Sequence, residues 1–278
     1  MPDENSYTYT TAELAKFYGL SRKGLAFYEE KGILHPGRQE NNKYRVFSLT
    51  DCYNLCLTKI YENCGFSLSE TADLLKGSSP EKTVDTIERQ LDALETEIRL
   101  RERVLRLERR NCALIRRALE APFFEIVQSP AFYRLFVRTW EEHIVSPEAS
   151  LEFEAWNRTK PINTASLRYD AARILSGDEH IGVNIGDIMN VRDFEEMGFT
   201  LSERIALLPP RRCLHTVLIG DACQIEQRAW LNPALRYLSE HGLVLAGDPF
   251  TAMLLVVDRS DGKLRMDEAW LPIEGETV

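Results

Sequence analysis

The sequence predicts an α+β chain in three parts. They are a winged helix-turn-helix N-terminal domain over residues 1–78, a long coiled-coil dimerisation helix over 79–121, and an α+β domain over 122–278. Three observations predict it. Two short amphipathic segments near the N-terminus are each opened by a hydroxyl cap and are separated by Gly19. The stretch from Glu81 to Ala121 contains no Gly or Pro and repeats apolar residues every seven positions. Beyond Pro122, short runs with strand chemistry alternate with helical patterns.

The 278 residues are 44% apolar and 28% charged, as in an ordinary globular protein. No segment approaches the roughly 18 consecutive apolar residues of a membrane span; runs such as Met253 to Val257 have strand length. The opening Met1-Pro2-Asp3-Glu4-Asn5-Ser6 is polar and acidic, unlike a secretion signal, so a cytoplasmic protein with no membrane association is expected. None of the six cysteines forms C-x-x-C, which fits free thiols better than a disulfide framework.

In the first part, Thr10 and Glu13 form a capping box. Leu14 and Phe17 are expected on the inner face of this helix, and Gly19 ends it. Ser21 caps a second helix that buries one face with Leu25 and Tyr28 and leaves Arg22 and Lys23 at its N-terminus, where a recognition helix meets base edges. A hairpin follows, with Pro36-Gly37 and Asn41-Asn42 as turn residues. Tyr44 and Phe47 flank Arg45, and Arg38 and Lys43 add cations, as in a wing that grips phosphates. The expected DNA contacts are Thr11, Ser21, Arg22, Lys23, Phe27, Tyr28, Arg38, Lys43, Tyr44 and Arg45. Ser48 opens a third helix that Gly65 closes, and Ser67 with Glu70 opens a fourth.

Charge constrains this reading. Residues 1–76 hold 9 Lys/Arg against 10 Asp/Glu, residues 77–120 hold 10 against 9, and residues 121–278 hold 15 against 24. A DNA binder of this composition must gather its few cations on one face.

Tyr9-Thr10, Glu13-Leu14-Ala15, Ser21, Leu25, Phe27-Tyr28-Glu29, Gly32-Ile33-Leu34, Tyr44-Arg45, Phe47 and Gly65-Phe66-Ser67-Leu68-Ser69-Glu70 resemble the MerR family of bacterial transcription regulators over about seventy residues. The resemblance implies a homodimer on near-palindromic, double-stranded promoter DNA. Such a dimer distorts an overlong spacer and thereby controls bacterial RNA polymerase. The chain departs from the family at Gly24 and Ala26, where Thr and Arg are usual. A helical Gly costs roughly 1 kcal/mol relative to Ala.

Along the connecting helix, Val84, Leu91, Ile98, Leu105, Cys112 and Leu119 recur every seven residues, with Ile87, Leu94 and Ile115 as companions. Leu100, Val104, Leu107 and Leu114 form a second stripe. One stripe suits a partner helix and the other a domain. The family resemblance implies an antiparallel coiled-coil dimer.

In the last part, Phe123 to Val127 reads as a strand and Pro130 to Ile144 as a helix. Leu214 to Ile219 reads as a strand, Ala229 to His241 as a helix, and Phe250 to Asp258 and Arg265 to Ile273 as strands joined at Asp261-Gly262. Strand-helix-strand-strand then occurs twice, which suggests an internal duplication. Residues 145–213 are the least patterned, and Gly186 to Phe199 reads as a loop insertion. Trp230, Leu238, Gly242-Leu243, Gly247, Phe250 and Glu268-Ala269-Trp270-Leu271-Pro272-Ile273 resemble the second half of a GyrI-like effector-binding domain. This implies a cup for a small amphiphilic effector, often cationic, with an acid among aromatics. The expected ligand contacts are Glu268, Phe250, Trp140, Tyr169, Trp230 and Trp270, the acid poorly solvated until a cation arrives.

No metal and no cofactor is expected. Cys52 and Cys56, four apart, read as packing residues, and no nucleophile elbow, P-loop or dinucleotide fingerprint is present. Two alternatives stay open: small-molecule hydrolysis with Glu268 as general acid or base, and a thiol- or metal-responsive sensor using Cys112.

Overall fold

The computed structural model describes residues 8–39, 44–77, 79–139, 146–260 and 262–275. The chain forms two compact units, residues 1–102 and 103–278.

In the first unit, β1 (Tyr9–Thr10) leads into α1 (Thr11–Tyr18), and α2 (Arg22–Glu30) follows after Gly19. The capping box of Thr10 and Glu13 is present, Ser21 Oγ accepts from the Gly24 amide at 3.0 Å, and Gly19 is left-handed at φ 64°. β2 (Gly37–Arg38) and β3 (Arg45–Phe47) form the wing, with β3 between β1 and β2. α3 (Leu49–Asn63) and α4 (Leu68–Leu75) carry capping boxes at Ser48–Asp51 and Ser67–Glu70. Leu14, Leu25, Tyr28, Ile33, Leu34, Phe47 and Leu55 fill the core. Phe17 departs from expectation, at 80% exposed. Tyr18, one full turn beyond Leu14, takes the inward position, and its hydroxyl donates to the Cys52 carbonyl at 2.7 Å.

α5 runs unbroken from Pro80 to Glu120. On the chain alone, Val84, Leu91, Ile98, Leu105, Cys112 and Leu119 lie exposed along it. Within the second unit, Val104, Leu114, Ile115 and Ala118 of the same helix pack on apolar clusters. Val104 and Leu114 of the second stripe thus meet the domain as expected, but Leu100 is exposed and Ile115, expected on the seam, packs in the domain core.

The second unit is built on β4 (Glu125–Gln128), β5 (Phe132–Thr139), α6 (Pro147–Asn157), β6 (Thr164–Tyr169), α7 (Ala171–Ser176), β7 (Val183–Asn190) and α8 (Val191–Glu196). β8 (Ile205–Leu208), β9 (Arg212–Asp221), α9 (Arg228–Glu240), β10 (Phe250–Arg259) and β11 (Gly262–Pro272) complete it. Among the described residues these strands form one eight-stranded antiparallel sheet in the order β4-β9-β11-β10-β6-β7-β5-β8. That order reads the same from either end when β4 is matched with β8, β9 with β5, β11 with β7 and β10 with β6. The duplication is therefore real in topology. Each half gives its first strand to the other: β4 pairs with β9, and β8 with β5.

Two expectations are corrected. Residues 132–139 are strand, not helix: Phe132, Leu135 and Phe136 pair with Asn190, Asp187 and Gly186 of β7, so sheet partners override a helix-compatible spacing. Residues 186–199 are β7 and α8, not an inserted loop. Their polar residues, Asn184, Asp187 and Asn190, are satisfied or used locally, which hid the strand's alternation.

Strand parity decides which face each residue serves. On β11, Ala269 and Leu271 join Trp230, Leu231 and Leu238 of α9 in one core. Met266 joins Leu114, Ile115 and Ala118 of α5 in another, on the opposite face.

Candidate functional sites

The first candidate is the exposed surface of the N-terminal unit. Arg22 and Lys23 sit in the first turn of α2 and are exposed. Thr11 lies at the start of α1, and Ser21 is spent on its cap. On the wing, Arg38 and Arg45 stand directly opposite each other across β2 and β3, both exposed. Like charges in opposed positions repel. Glu29 of α2 offsets one of them, with Arg45 Nη1 at 3.3 Å from its carboxylate. A phosphate oxygen between the arginines would relieve the rest. Tyr44 and Phe27 are exposed, with Lys31 Nζ 5.4 Å from the Phe27 ring centre.

Tyr28 is a different case. It is 6% exposed, and its hydroxyl accepts from Lys59 Nζ at 3.0 Å, so it serves the core rather than an outer surface. Phe47, expected beside Arg45, is likewise core. Lys43 lies outside the described residues.

The second candidate is a cavity of about 590 Å³, wholly within the second unit, between the α5-facing side of the sheet and α5 itself. Such a volume holds a drug-sized molecule. Leu107, Phe132, Ile162, Ile188, Met253 and Trp270 give it apolar walls. Phe250 stacks on Trp270 with ring centres 5.3 Å apart, and Phe132 meets both rings.

Glu268 lines the cavity at 2% exposure. It is buried as expected, but its carboxylate is already satisfied by protein groups. Arg110 of α5 donates from Nη1 to Oε2 at 2.8 Å and from Nη2 to Oε1. His215 Nε2 stands 2.8 Å from Oε1. Burial alone would raise this carboxyl, but hydrogen bonds from His215 and Arg110 outweigh it and hold the group below its ordinary value of 4.5. His215 Nδ1 in turn faces Glu125 at 3.8 Å, and Arg117 donates to Glu125 at 2.7 Å. Two arginines two turns apart on α5 thus bracket a carboxylate–imidazole–carboxylate row on the sheet.

A depressed carboxyl stabilises the fold above its unfolded value, and that contribution disappears as pH falls through the folded value. Glu268→Gln is therefore expected to lower the thermal midpoint at pH 7 and to flatten its decline below about pH 4.5. Parallel acid limbs in wild type and variant would show that the carboxylate is not held this way.

Of the six expected ligand contacts, the cavity brings together Glu268 and Trp270, with Phe250 packed behind Trp270. Tyr169 and Trp230 lie on the other face of the sheet, in the α9 core. The Trp230 ring rests against Gly220, where a Cβ would approach to 3.0 Å. Trp140 lies outside the described residues. Sequence reasoning missed Arg110, His215, Lys160 and Asn163. Arg110 and His215 are joined to Glu268 only by tertiary contact, across 158 and 53 positions of chain.

Residues 9–78 match the model for "MerR HTH family regulatory protein". That stretch is similar to the helix-turn-helix of MerR regulators. The HTH-type transcriptional regulator CueR of Escherichia coli is 34% identical over 64 residues, which is 23% of this chain and 47% of that protein. The Multidrug-efflux transporter 2 regulator of Bacillus subtilis is 23% identical over 126 residues, 45% of this chain and 46% of that protein. The chain spans about half the length of these curated relatives. Among solved structures, HiNmlR, a MerR family regulator lacking the sensor domain and bound to promoter DNA, is 29% identical with a TM-score of 0.35. The alignment covers 41% of this chain and 94% of that one. Among the described residues, no helix is long and apolar enough to cross a membrane.

Proposed function

We propose that this chain is a transcriptional regulator rather than an enzyme. It binds double-stranded promoter DNA as a homodimer, holds a small amphiphilic effector in its C-terminal cavity, and acts through RNA polymerase. The observation that carries the reading is the solvated N-terminus of α2, with Arg22 and Lys23, in the same domain as a wing bearing Arg38 and Arg45. A domain of net negative charge that nonetheless exposes cations on helix and wing is suited to a duplex. The exposed heptad stripe of α5 supports a two-fold dimer, and a two-fold dimer requires a near-palindromic site. The cavity supports the effector role: its roof is the same helix that carries the stripe, so an occupant touches the element that holds the dimer.

The test is selection of bound fragments from genomic DNA by the purified full-length chain. The expected result is enrichment of a near-palindrome whose half-sites respond to Arg22→Ala or Lys23→Ala at particular positions. Arg45→Ala is expected to weaken every sequence alike by about threefold to tenfold and to reduce the salt slope by about one. Failure to enrich any related sequence would remove the DNA-binding reading.

A further inference from the structure

The cavity carries information about the charge of what it holds. Three cations border it, and each is already matched within the unit. Arg110 pairs with Glu268, Lys160 Nζ with Asp187 at 3.1 Å, and Arg103 with Asp193 and Glu196 of α8. The remaining acid on the wall, Glu108, is exposed at the rim, where water screens it. A permanent cation therefore finds no unpaired buried anion. To reach Glu268 it must displace a two-pronged guanidinium, which cannot lose its proton, and an imidazole as well.

Two buried polar atoms of the wall lack a hydrogen bond among the described residues, Asp193 Oδ1 and Asn163 Oδ1; the charge of the first is matched by the Arg103 guanidinium against it, which leaves the neutral acceptor of Asn163. Asn163 is 1% exposed and lines the cavity. Its Nδ2 donates to the Trp156 carbonyl at 2.5 Å and to Thr159 Oγ1 at 2.7 Å, which fixes the amide's orientation. Turning it over would set Oδ1 against the Trp156 carbonyl. Oδ1 is left with no hydrogen bond among the described residues. A buried acceptor without a donor costs free energy until a donor arrives.

We infer that the effector is an uncharged amphiphile: an apolar, aromatic-sized body against Trp270 and Phe132, carrying an O–H or N–H group that donates to Asn163 Oδ1. This rests on the effector-cavity reading above and narrows it. The expectation of a cationic ligand presumed an unsatisfied carboxylate, and Arg110 and His215 supply what that carboxylate needs.

The test uses the full-length chain and three probes of matched shape: para-phenylphenol, its methyl ether, and the para-phenyl trimethylanilinium cation. Binding is read by thermal shift and by quenching of tryptophan fluorescence. The phenol is expected to bind about tenfold more tightly than the ether, which cannot donate, and than the cation. In Arg110→Gln, with its fold checked by circular dichroism, the cation is expected to gain about tenfold and the phenol to change less than about twofold. Should wild type bind the cation as tightly as the phenol, or the ether as tightly as the phenol, the inference is overturned while the effector cavity stands. Should none of the probes bind either protein, the effector-cavity reading itself falls, and this one with it.

Discussion

Gly186→Ala is expected to abolish cooperative folding of the second unit. A Cβ at this position would lie 2.0 Å from the Leu135 carbonyl oxygen and 3.1 Å from its carbon. Both are backbone atoms of the neighbouring strand, so no side-chain rotation relieves the overlap. Gly186 pairs with Phe136, beside the register shift between Phe136 and Arg138, and there the two strands approach too closely for any side chain. The Arg134 guanidinium lies 3.2 Å away. It is buried and donates to Ser166 Oγ, to the Ser166 carbonyl and to Asn184. Separating β5 from β7 breaks that set as well. The cost is about 4 kcal/mol or more, at the top of the range for single substitutions. Gly198→Ala is the control. Its φ of 71° strains a side chain, but nothing lies within 4 Å, so about 1 kcal/mol is expected. Equal thermal midpoints for the two variants would mean that β5 and β7 do not meet in this register.

Leu91→Glu with Ile98→Glu is expected to convert the chain to a monomer in sedimentation and to lower operator affinity by about a hundredfold or more. Both side chains are exposed on the isolated chain, so their loss removes little packing within it. Their spacing matters only if a second helix covers them. A dimer binds two half-sites with one association event, and a monomer forfeits that gain. Each unit should keep its fold, since α5 retains Val104, Leu114 and Ala118 on its other face. A dimer that survives both substitutions would place the interface elsewhere.

Local chemistry made much of this legible in the sequence. The caps at Thr10, Ser21, Ser48 and Ser67, the stop at Gly19 and the Gly- and Pro-free span of α5 are short-range signals, and each stands where its residues demand. The second half of the sheet was readable because β9, β10 and β11 contain long apolar runs and α9 sets Trp230, Leu231, Ala234 and Leu238 on one buried face. The first half was not. β5 carries Arg134 inward, and β7 mixes Asn184, Gly186 and Asp187 among apolar residues, so neither strand alternates cleanly.

By itself, the sequence determined the helix-turn-helix with its wing, the unbroken long helix and the strand-helix-strand-strand order of the second half of the sheet. These follow from hydrogen bonds and periodicities that act within a few residues. Only the tertiary structure decided which aromatics meet a ligand and which fill a core: residues two apart on a strand share a face, and the sheet's partners choose which face is which. Tyr169 and Trp230 fell to the α9 side, and Trp270 to the cavity. Tertiary structure also decided the electrical state of Glu268. Arg110 and His215 reach it from distant parts of the chain, and the charge a buried carboxylate presents depends on what surrounds it rather than on its neighbours in sequence.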